Sequence, residues 1–545
     1  MSGSRNQTDS SRREFLAATG TTAVSVAFAG CSSDQTGDET ATEAATETDS
    51  GATETTEADS QSEEFEVSIT QGTMPTTLDP HDHRDIPTDI TMLQAYEGLL
   101  SRTPEGEITA MLATDWERVE PGHVRFQIRD GPTFHKTGND LTPEDVAYTI
   151  NRIVDDEVGF TSPQAGQLDG VTGAEVADGE RAVDVYSDGF NPIVFSEFAI
   201  YCDIVEKAWV QDNEKSYVAQ NMNGTGPFEM TDFQQNQYVE FERYDDYWQE
   251  PADVTRLTID SASDSGVRVN QLVAGETDLV VNVPPQSFSR VEDADASVEA
   301  VGSTRVLYNA MKATVEPFSS PQFRRAMNYA IDLETIIQNA LQGAGGQTGQ
   351  PTLEPFFGYN DSIDPYPYDP DEAERLVEES GHAGVSIELH TPAGRYLKDL
   401  QIARSVAGMI DELPNVSCEV NQRTFSTLAG ELTDSDITTG PDFYLIGWGN
   451  ATFDASQTIS PTLTSDGSLT SWKNEDLDQI MSDADSTTDP DEREQFLQEA
   501  NQLCHDEAPW IFLNRQYSVY GVSDHIEWTA RNDERIDAYA ISPAQ

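Results

Sequence analysis

The residues best suited to bind a ligand are two tryptophans in turns. Trp448 lies in the run Gly447-Trp448-Gly449-Asn450, directly after an apolar segment, and Trp472 lies in Ser471-Trp472-Lys473-Asn474, before a predicted helix. A tryptophan between glycines at the carboxyl end of a strand is well placed to line a crevice, which is where open α/β sheets bind ligands. The alternative for both residues is a place in the hydrophobic core.

Patterns for catalysis and for metal or cofactor binding are weak. The sequence has no GxSxG elbow, P-loop, HExxH or zinc-type CxxC. His81 and His83 resemble a pair of metal ligands, with a solvated turn after Pro80 as the alternative. The glycine-rich segment 343–349 follows a predicted helix instead of opening one, so we interpret it as a flexible loop. We therefore expect no catalytic site, no bound metal and no cofactor.

Alternating strand and helix patterns predict α/β layers that would position the tryptophans. Thr142 as N-cap and Pro143 at the first helical position predict a helix through Ile153. Further helices are predicted at 321–341, 370–380, 396–413, 477–485 and 491–506. Strands are predicted at 66–71, 123–129, 238–244, 255–259, 386–390, 443–446 and 510–513.

The charge of the chain excludes some partners. Its 545 residues include 98 Asp and Glu against 31 Lys and Arg, a formal charge of −67. Nucleic acid is excluded as a natural partner because phosphate binding requires Lys and Arg. Such a surface repels itself in dilute buffer, and molar salt screens the repulsion. We therefore interpret the acidity as adaptation to high salt. The length of the chain separately predicts more than one domain, because single hydrophobic cores stop growing well below this size.

The N-terminal 64 residues predict export and anchoring. Arg12-Arg13 before the apolar stretch 15–30 matches a twin-arginine signal, and Ala29-Gly30-Cys31 resembles a lipobox that would leave a lipid on Cys31. An ordinary signal with an incidental cysteine is the alternative. Segment 32–64 is acidic, rich in Thr and poor in apolar residues, so it predicts a disordered tether. This layout is typical of a protein anchored to the outer face of the cell membrane.

Three cysteines remain in the body of the chain. Cys202, Cys418 and Cys504 share no CxxC spacing, and an odd number cannot all form pairs. We expect them to be small buried hydrophobic residues.

Several ordered motifs together resemble one family over about residues 69–512. They are Leu78-Asp79-Pro80-His81, Tyr96-Glu97-Gly98-Leu99-Leu100, Phe126-Gln127-Ile128-Arg129, Leu141-Thr142-Pro143-Glu144-Asp145-Val146, Gly224-Thr225-Gly226-Pro227-Phe228 and Arg324-Arg325-Ala326-Met327-Asn328-Tyr329-Ala330-Ile331-Asp332. The chain resembles the extracellular solute-binding proteins of family 5, the peptide, oligopeptide and nickel type that serves ABC importers.

The resemblance implies a fold. It is an α/β, two-lobed, type II periplasmic-binding-protein-like fold with an extra subdomain and a ligand cleft between the lobes. One lobe would comprise residues 65–303 and 515–545, with the extra subdomain at 98–221. The other lobe would comprise residues 304–514.

The resemblance carries over only part of a binding site. In peptide-binding members a Trp-x-x-Asp places a carboxylate against the peptide ammonium, but here Ala451 stands at that spacing after Trp448. Asp454, three residues later, is the candidate replacement, with a solvated loop as the alternative. Arg395 is a candidate for the anionic end of the ligand, or a surface arginine. Asn450, Trp472, Tyr308 and Asn309 complete the predicted ligand-binding set.

The resemblance therefore implies a lipid-anchored extracytoplasmic receptor that performs no chemistry. It would be a monomer that binds a small solute, first of all a di- or oligopeptide, and delivers it to ABC permease and ATPase subunits. A nickel chelate, an oligosaccharide or another organic solute is the alternative cargo. A cell-surface hydrolase and a structural adhesin are the alternatives from other classes.

Overall fold

The computed structural model of the chain describes residues 64–104, 106–168, 170–432 and 439–545. The predicted export signal, Cys31 and all but the last residue of the predicted tether lie outside these residues. Within the described ranges, no helix is long and apolar enough to cross a membrane.

The described residues form strands and helices that alternate along much of the chain. The strands are β1 Glu66–Gln71, β2 Leu100–Arg102, β3 Ile108–Ala110, β4 Ala113–Glu120, β5 His123–Ile128, β6 Val171–Val176, β7 Ala182–Ser187, β8 Phe228–Gln234, β9 Tyr238–Arg243, β10 Arg256–Ser261, β11 Leu279–Val281, β12 Ala296–Met311, β13 Gly345–Gln347, β14 Val385–Thr391, β15 Val416–Gln422, β16 Phe443–Gly449, β17 Trp510–Ser523, β18 Ile526–Glu527 and β19 Ser542–Pro543. The helices are α1 Ile86–Met92, α2 Pro143–Val154, α3 Val194–Phe198, α4 Lys207–Asp212, α5 Lys215–Val218, α6 Ser265–Val273, α7 Phe288–Glu292, α8 Pro321–Tyr329, α9 Leu333–Ala340, α10 Pro370–Ser380, α11 Asp399–Asp411, α12 Phe425–Leu432, α13 Ser456–Leu463, α14 Glu475–Ser486 and α15 Pro490–Glu507.

A mixed sheet runs through most of the molecule. Its strand order is β15-β14-β16-β12-β17-β11-β1-β10-β9-β8, with β13 paired to β17. A separate antiparallel sheet, β4-β5-β7-β6, is formed entirely by residues between 113 and 187.

Two long antiparallel strands cross the centre of the main sheet. β12 has 16 residues and β17 has 14, and their pairing shifts register between Gly302 and Val306. The Arg515 side chain holds this irregularity: Nη2 donates to the Gly302 carbonyl and Nε to the Ser303 carbonyl, each at 2.7 Å. A β-bulge bends the strand that carries it, so the crossing strands change direction at this position.

Buried apolar side chains form separate cores. The large core contains buried residues between Val306 and Leu513. A second core combines residues 67–96, 205–281 and 520–541. A third core, from Leu99 to Ile204, lies around the four-stranded sheet. The chain thus builds more than one packed body on a shared main sheet.

Most of the predicted elements are confirmed, and two are wrong. The single helix predicted at 321–341 is two helices, α8 and α9, because Asp332 caps a new start: its carboxylate accepts from the Thr335 amide at 2.9 Å. The predicted flexible loop at 343–349 contains β13, which pairs with residues 514–516 of β17. Gly345 and Gly346 let this strand lie close to its neighbour, because glycine has no side chain.

The predicted burial of the three cysteines is confirmed. Cys202, Cys418 and Cys504 are buried and form no disulfide. Burial raises the pKa of Cys418 to about 12. These thiols are therefore unreactive packing groups.

Candidate functional site

A cavity of about 1290 Å³ lies between two groups of residues. The first wall consists of the lining residues numbered 71–284 and 516–535, and the second wall of those numbered 304–469. The second wall includes the end of β16 and the loop before α11. The volume of the cavity exceeds that of an ordinary small-molecule pocket, which is about 300–1,000 Å³.

Trp448 lies on the second wall, at the end of β16, where the sequence places it. Its side chain is half-buried, and the indole Nε1 donates to the Gln457 carbonyl at 2.8 Å. This hydrogen bond fixes the ring while part of its surface faces the cavity. The strand end and the cavity position were both predictable from the glycine-flanked turn, and contact with a ligand stays a prediction.

The glycines beside Trp448 make room for an arginine that sequence reasoning missed. β12 pairs with β16 so that Arg305 lies opposite Gly449. A Cβ on Gly449 would lie 3.0 Å from Arg305 Nη2, and a Cβ on Gly447 would lie 3.2 Å from Arg305 Cδ. Arg305 therefore lies across the two glycines and reaches the cavity. No local sequence signal marks it, because the neighbours that define its place are in another strand.

Arg395 lies in the loop before α11 and also lines the cavity. The buried Asp399 carboxylate shapes this loop by accepting from the amides of Gly394, Arg395 and Tyr396 at 3.0, 2.8 and 3.1 Å. The Arg395 guanidinium lies 5.1 Å from the centre of the Tyr396 ring and 5.0 Å from that of Phe425. Desolvation, followed by the like charge of Arg305, lowers the pKa of Arg395 from its usual value.

The charged residues of the cavity reverse the balance of the whole chain. Seven lining residues are cationic and five are acidic, in a chain with 31 bases and 98 acids. The cations are Arg84, Arg268, Arg305, Arg395, Lys398, Arg404 and Arg535, and the acids are Asp85, Asp89, Asp399, Asp533 and Glu534. Within the described part of the chain, none of the seven cations has a carboxylate within 4 Å, whereas Arg152 and Arg493 outside the cavity do.

Asp454 and Asn450 do not line the cavity. The Asp454 carboxylate binds the buried Arg493 guanidinium in a bidentate pair, at 2.6 and 2.8 Å. Asn450 Nδ2 donates to the Asp454 carbonyl at 2.7 Å and to Thr458 Oγ1 at 3.0 Å. Both side chains are thus occupied in folding the turn after β16, and the expectation that Asp454 replaces the missing ammonium anchor stays a prediction.

Tyr308, Asn309 and Trp472 are also away from the cavity lining. The Tyr308 ring stacks on Trp510 with centroids 3.5 Å apart, and the Tyr308 side chain is 2% exposed. Asn309 and Trp472 are 0% and 4% exposed. Residues 306–311 of β12 are buried on both faces of the sheet, so successive side chains there point into packed layers. Trp472 therefore lies in the hydrophobic core, which was the alternative to a place in the crevice.

The histidine pair is buried, so it is not a solvated turn. His81 Nδ1 accepts from Arg152 at 2.5 Å and Nε2 donates to the Asp203 carbonyl at 2.8 Å. Burial, followed by the nearby Arg152 charge, lowers the pKa of His81 to about 3, so the ring is neutral. No group of three or more metal-ligating side chains occurs among the residues that the structure describes.

Curated proteins with similar sequences are binding proteins. Heme-binding protein A of Haemophilus influenzae is 23% identical over 461 residues, which cover 79% of this chain and 83% of that protein. Glutathione-binding protein GsiB of Escherichia coli K12 is 24% identical over 465 residues, covering 82% and 88%. The match runs through nearly the whole described body.

Solved structures establish the fold. The peptide-bound ABC transporter-associated protein DppA of Helicobacter pylori superposes with a TM-score of 0.74 at 19% identity, covering 88% of this chain and 99% of its own. NikA of Staphylococcus aureus, in complex with Ni(L-His)2, superposes with a TM-score of 0.70 at 18% identity, covering 88% and 99%. The predicted two-lobed type II binding-protein fold is confirmed.

The sequence pattern of one family matches most of the chain. Residues 107–470 match the family described as bacterial extracellular solute-binding proteins, family 5 middle. This stretch includes both Arg305 and the Trp448 turn, and it spans parts of both cavity walls. The chain therefore belongs to the family 5 extracellular solute-binding proteins, which serve ABC transporters.

Proposed function

We propose that the chain is an extracytoplasmic receptor that captures a peptide in the cavity and delivers it to an ABC permease with ATPase subunits. The observation that carries this proposal is the cavity itself, which has Trp448 on one wall and charged groups of both signs. Such a site supplies apolar contact and polar anchors without a nucleophile–base pair. The receptor performs no chemistry and needs no cofactor.

The distribution of charge supports a peptide. The second wall carries Arg305, Arg395 and Arg404. Among its described residues the only acid is Asp399, which is engaged by backbone amides. The first wall carries Asp85, Asp89 and Glu534 in addition to its own cations. An extended zwitterion can place its ammonium group against the acids of the first wall and its carboxylate against the arginines of the second.

Other cargoes are the second candidate. DppA is described with a peptide, whereas NikA is described with a nickel–histidine complex and Heme-binding protein A with heme. A nickel chelate, an oligosaccharide or another organic solute would use the same cavity. The fold is common to all of these ligands, so the cargo depends on the groups that line the two walls.

Among the predicted site residues, we propose direct ligand contact for Trp448 and Arg395. Asn450 and Asp454 would act indirectly, by holding the turn that positions Trp448. Tyr308, Asn309 and Trp472 would support the packed layer beneath the second wall.

We propose that the lobes meet at the irregularity between β12 and β17. The lobe boundaries would then be 303/304 and 514/515, with residues 98–221 as the extra subdomain. A hinge at two crossing strands breaks few contacts, so bound ligand can shift the equilibrium between open and closed forms.

We propose, further, that the protein is exported through the twin-arginine signal and held at the outer face of the membrane by a lipid on Cys31. It would act there as a monomer in high salt. Mass spectrometry of the intact mature protein would test this, because cleavage before Cys31 and the added lipid both change the mass.

The receptor function is tested by mass spectrometry of small molecules released from the chain purified in molar salt. Recovery of peptides is expected, and recovery of a sugar or metal chelate would change the cargo and keep the receptor. Calorimetry with the recovered ligand should show weaker binding for Trp448→Ala. Trp116→Ala, at a half-buried tryptophan outside the cavity, is the matched control. Equal affinity for both variants would contradict the role of Trp448.

A further inference from the structure

Two arginines of the second wall share one aromatic ring. The guanidinium carbon of Arg305 lies 5.9 Å from the centre of the Tyr396 ring, and that of Arg395 lies 5.1 Å from it. The Tyr396 hydroxyl donates to the Gly447 carbonyl at 3.3 Å, which ties the ring to β16. Two like charges are therefore held around a fixed ring at the cavity surface.

No carboxylate in the described part of the chain pairs directly with either arginine, although Glu534 and Asp399 act on the Arg395 charge at longer range. Among the described residues neither guanidinium has a carboxylate within 4 Å, although the chain carries 98 acids. The nearest acid in the loop, Asp399, is 3% exposed and its oxygens accept from backbone amides. Keeping two cations adjacent costs free energy, and an anion placed between them recovers it.

The backbone around the pair is shaped to keep it in place. Gly447 and Gly449 leave the space that the Arg305 side chain occupies, and any larger residue there would push against Arg305 or Tyr396. Asp399 fixes the loop that carries Arg395. The two glycines position Arg305 and Asp399 positions the loop of Arg395. Neither contact pairs a carboxylate with a guanidinium.

We propose that the cargo presents two or more carboxylate or phosphate groups to Arg305 and Arg395, so that this arginine pair selects multiply anionic solutes. This inference rests on the proposed receptor function and deepens it, because it specifies the charge of the cargo. Within the peptide class it indicates acidic peptides. Planar guanidinium groups bind such oxygens through paired hydrogen bonds and keep their charge at neutral pH.

Retention of defined probes by the full chain tests the proposal. The protein is incubated in molar salt with an equimolar mixture of tripeptides built from Ala, Gln, Glu and phosphoserine, together with propane-1,2,3-tricarboxylate. Ultrafiltration and mass spectrometry then measure the retained fraction of each probe. We expect Ala-Glu-Glu to be retained at least about tenfold better than Ala-Gln-Gln, its uncharged-side-chain match.

Three variants assign the effect to the arginine pair. Arg305→Gln and Arg395→Gln should each lose most of the preference for Ala-Glu-Glu, with an unchanged midpoint of thermal unfolding. Arg290→Gln removes an exposed cation outside the cavity and should keep the preference. A comparison of glutamate, phosphoserine and tricarboxylate probes distinguishes acidic peptide, phosphopeptide and non-peptide polyanion as the source of the charge.

Two outcomes would overturn the proposal in different ways. Equal retention of Ala-Glu-Glu and Ala-Gln-Gln, unchanged by Arg305→Gln, would refute the charge selection and leave the receptor function intact. Retention of no probe from any charge class would count against the proposed function itself.

Discussion

Arginine side chains in two regions of the large-core half of the molecule have opposite environments. Arg493 is 5% exposed and meets the Asp454 carboxylate through two hydrogen bonds, with Ser456 Oγ as a third partner at 3.2 Å. Arg305 and Arg395, on the cavity wall, lie against Tyr396 and have no carboxylate within 4 Å among the described residues. All three residues belong to a chain in which acids outnumber bases threefold.

The contrast separates a structural charge from one available to a ligand. A buried guanidinium needs compensating partners, because an uncompensated buried charge costs several kcal/mol. The Asp454 carboxylate supplies them for Arg493, and backbone carbonyls supply them for Arg268, which is 5% exposed. At the cavity surface, water solvates an unpaired guanidinium until a ligand replaces it. In this acidic chain, an arginine that lies at the cavity wall without a carboxylate partner is therefore a better candidate for ligand contact than a paired one.

Breaking the buried pair should have the largest effect. Asp454→Ala leaves Arg493 charged and buried, so we expect the free energy of unfolding to fall by about 3–5 kcal/mol. Chemical denaturation in molar salt measures it. The double variant Asp454→Leu/Arg493→Met should recover much of the loss. A decrease below about 1 kcal/mol in the single variant would contradict the structural role of the pair.

A buried acid with no cation within 4 Å among the described residues extends the comparison to pH. Glu97 is 5% exposed and accepts from Thr225 Oγ1 at 2.7 Å, Tyr247 Oη at 2.8 Å and Trp248 Nε1 at 3.0 Å. Burial raises the pKa of Glu97 to about 7, against the opposing effect of these hydrogen bonds.

Because the folded chain holds the Glu97 proton more tightly than the unfolded chain, this group's stabilisation is complete below about pH 4.5. It is lost as the pH rises through about 7. The loss should amount to about 3 kcal/mol. Denaturation at several pH values should show this fall for the wild type and a reduced fall for Glu97→Gln. Parallel pH profiles for the two proteins would refute the assignment.

Moving Arg305 without removing its charge tests whether its position at the cavity wall matters for ligand binding. Gly449→Ala places a Cβ 3.0 Å from Arg305 Nη2, the end of a flexible side chain, so Arg305 should move while the fold tolerates the change. We expect affinity for Ala-Glu-Glu to fall about tenfold, with a change in unfolding free energy below about 1 kcal/mol. Gly408→Ala, at an exposed position of α11 with open space and no positive φ, controls for the loss of a glycine. Unchanged affinity for Gly449→Ala would show that the position of Arg305 does not matter.

An exposed ion pair should give the smallest effect. Arg256 Nη1 lies 3.0 Å from Glu66 Oε1, with side chains 50% and 55% exposed. Arg256→Ala should change the free energy of unfolding by less than about 1 kcal/mol, and by still less in molar salt. A decrease in unfolding free energy as large as that of Asp454→Ala would show that the stabilisation by an ion pair does not depend on its burial.

The regular elements were largely predictable because their signals are local. Thr142 and Pro143 mark the start of α2, and the observed capping box confirms the mechanism. The helix predicted at 321–341 was wrong because its apolar spacing continues across the break, while the Asp332 cap decides where α9 begins. β13 was missed because a glycine-rich segment has strand structure only where a partner strand accepts it.

The candidate site was predictable in part. Trp448 and Arg395 were both expected near the cleft and both line the cavity. Asp454 carries the same carboxylate whether it faces a ligand or Arg493, so residue type alone could not distinguish the two. Tyr308 lies in an apolar strand pattern, and this pattern does not predict that its ring stacks on Trp510 of the neighbouring strand.

By itself the sequence determined the charge of the chain, the alternation of elements, the family motifs and the glycine-flanked tryptophan, because composition and short spacings are properties of the chain. Only the tertiary structure decided which charges remain unpaired. Arg305 and Gly447 are 142 positions apart, and Asp454 and Arg493 are 39 apart. Strand pairing and helix packing bring such residues together, and these contacts determine whether an arginine supports the fold or faces a ligand.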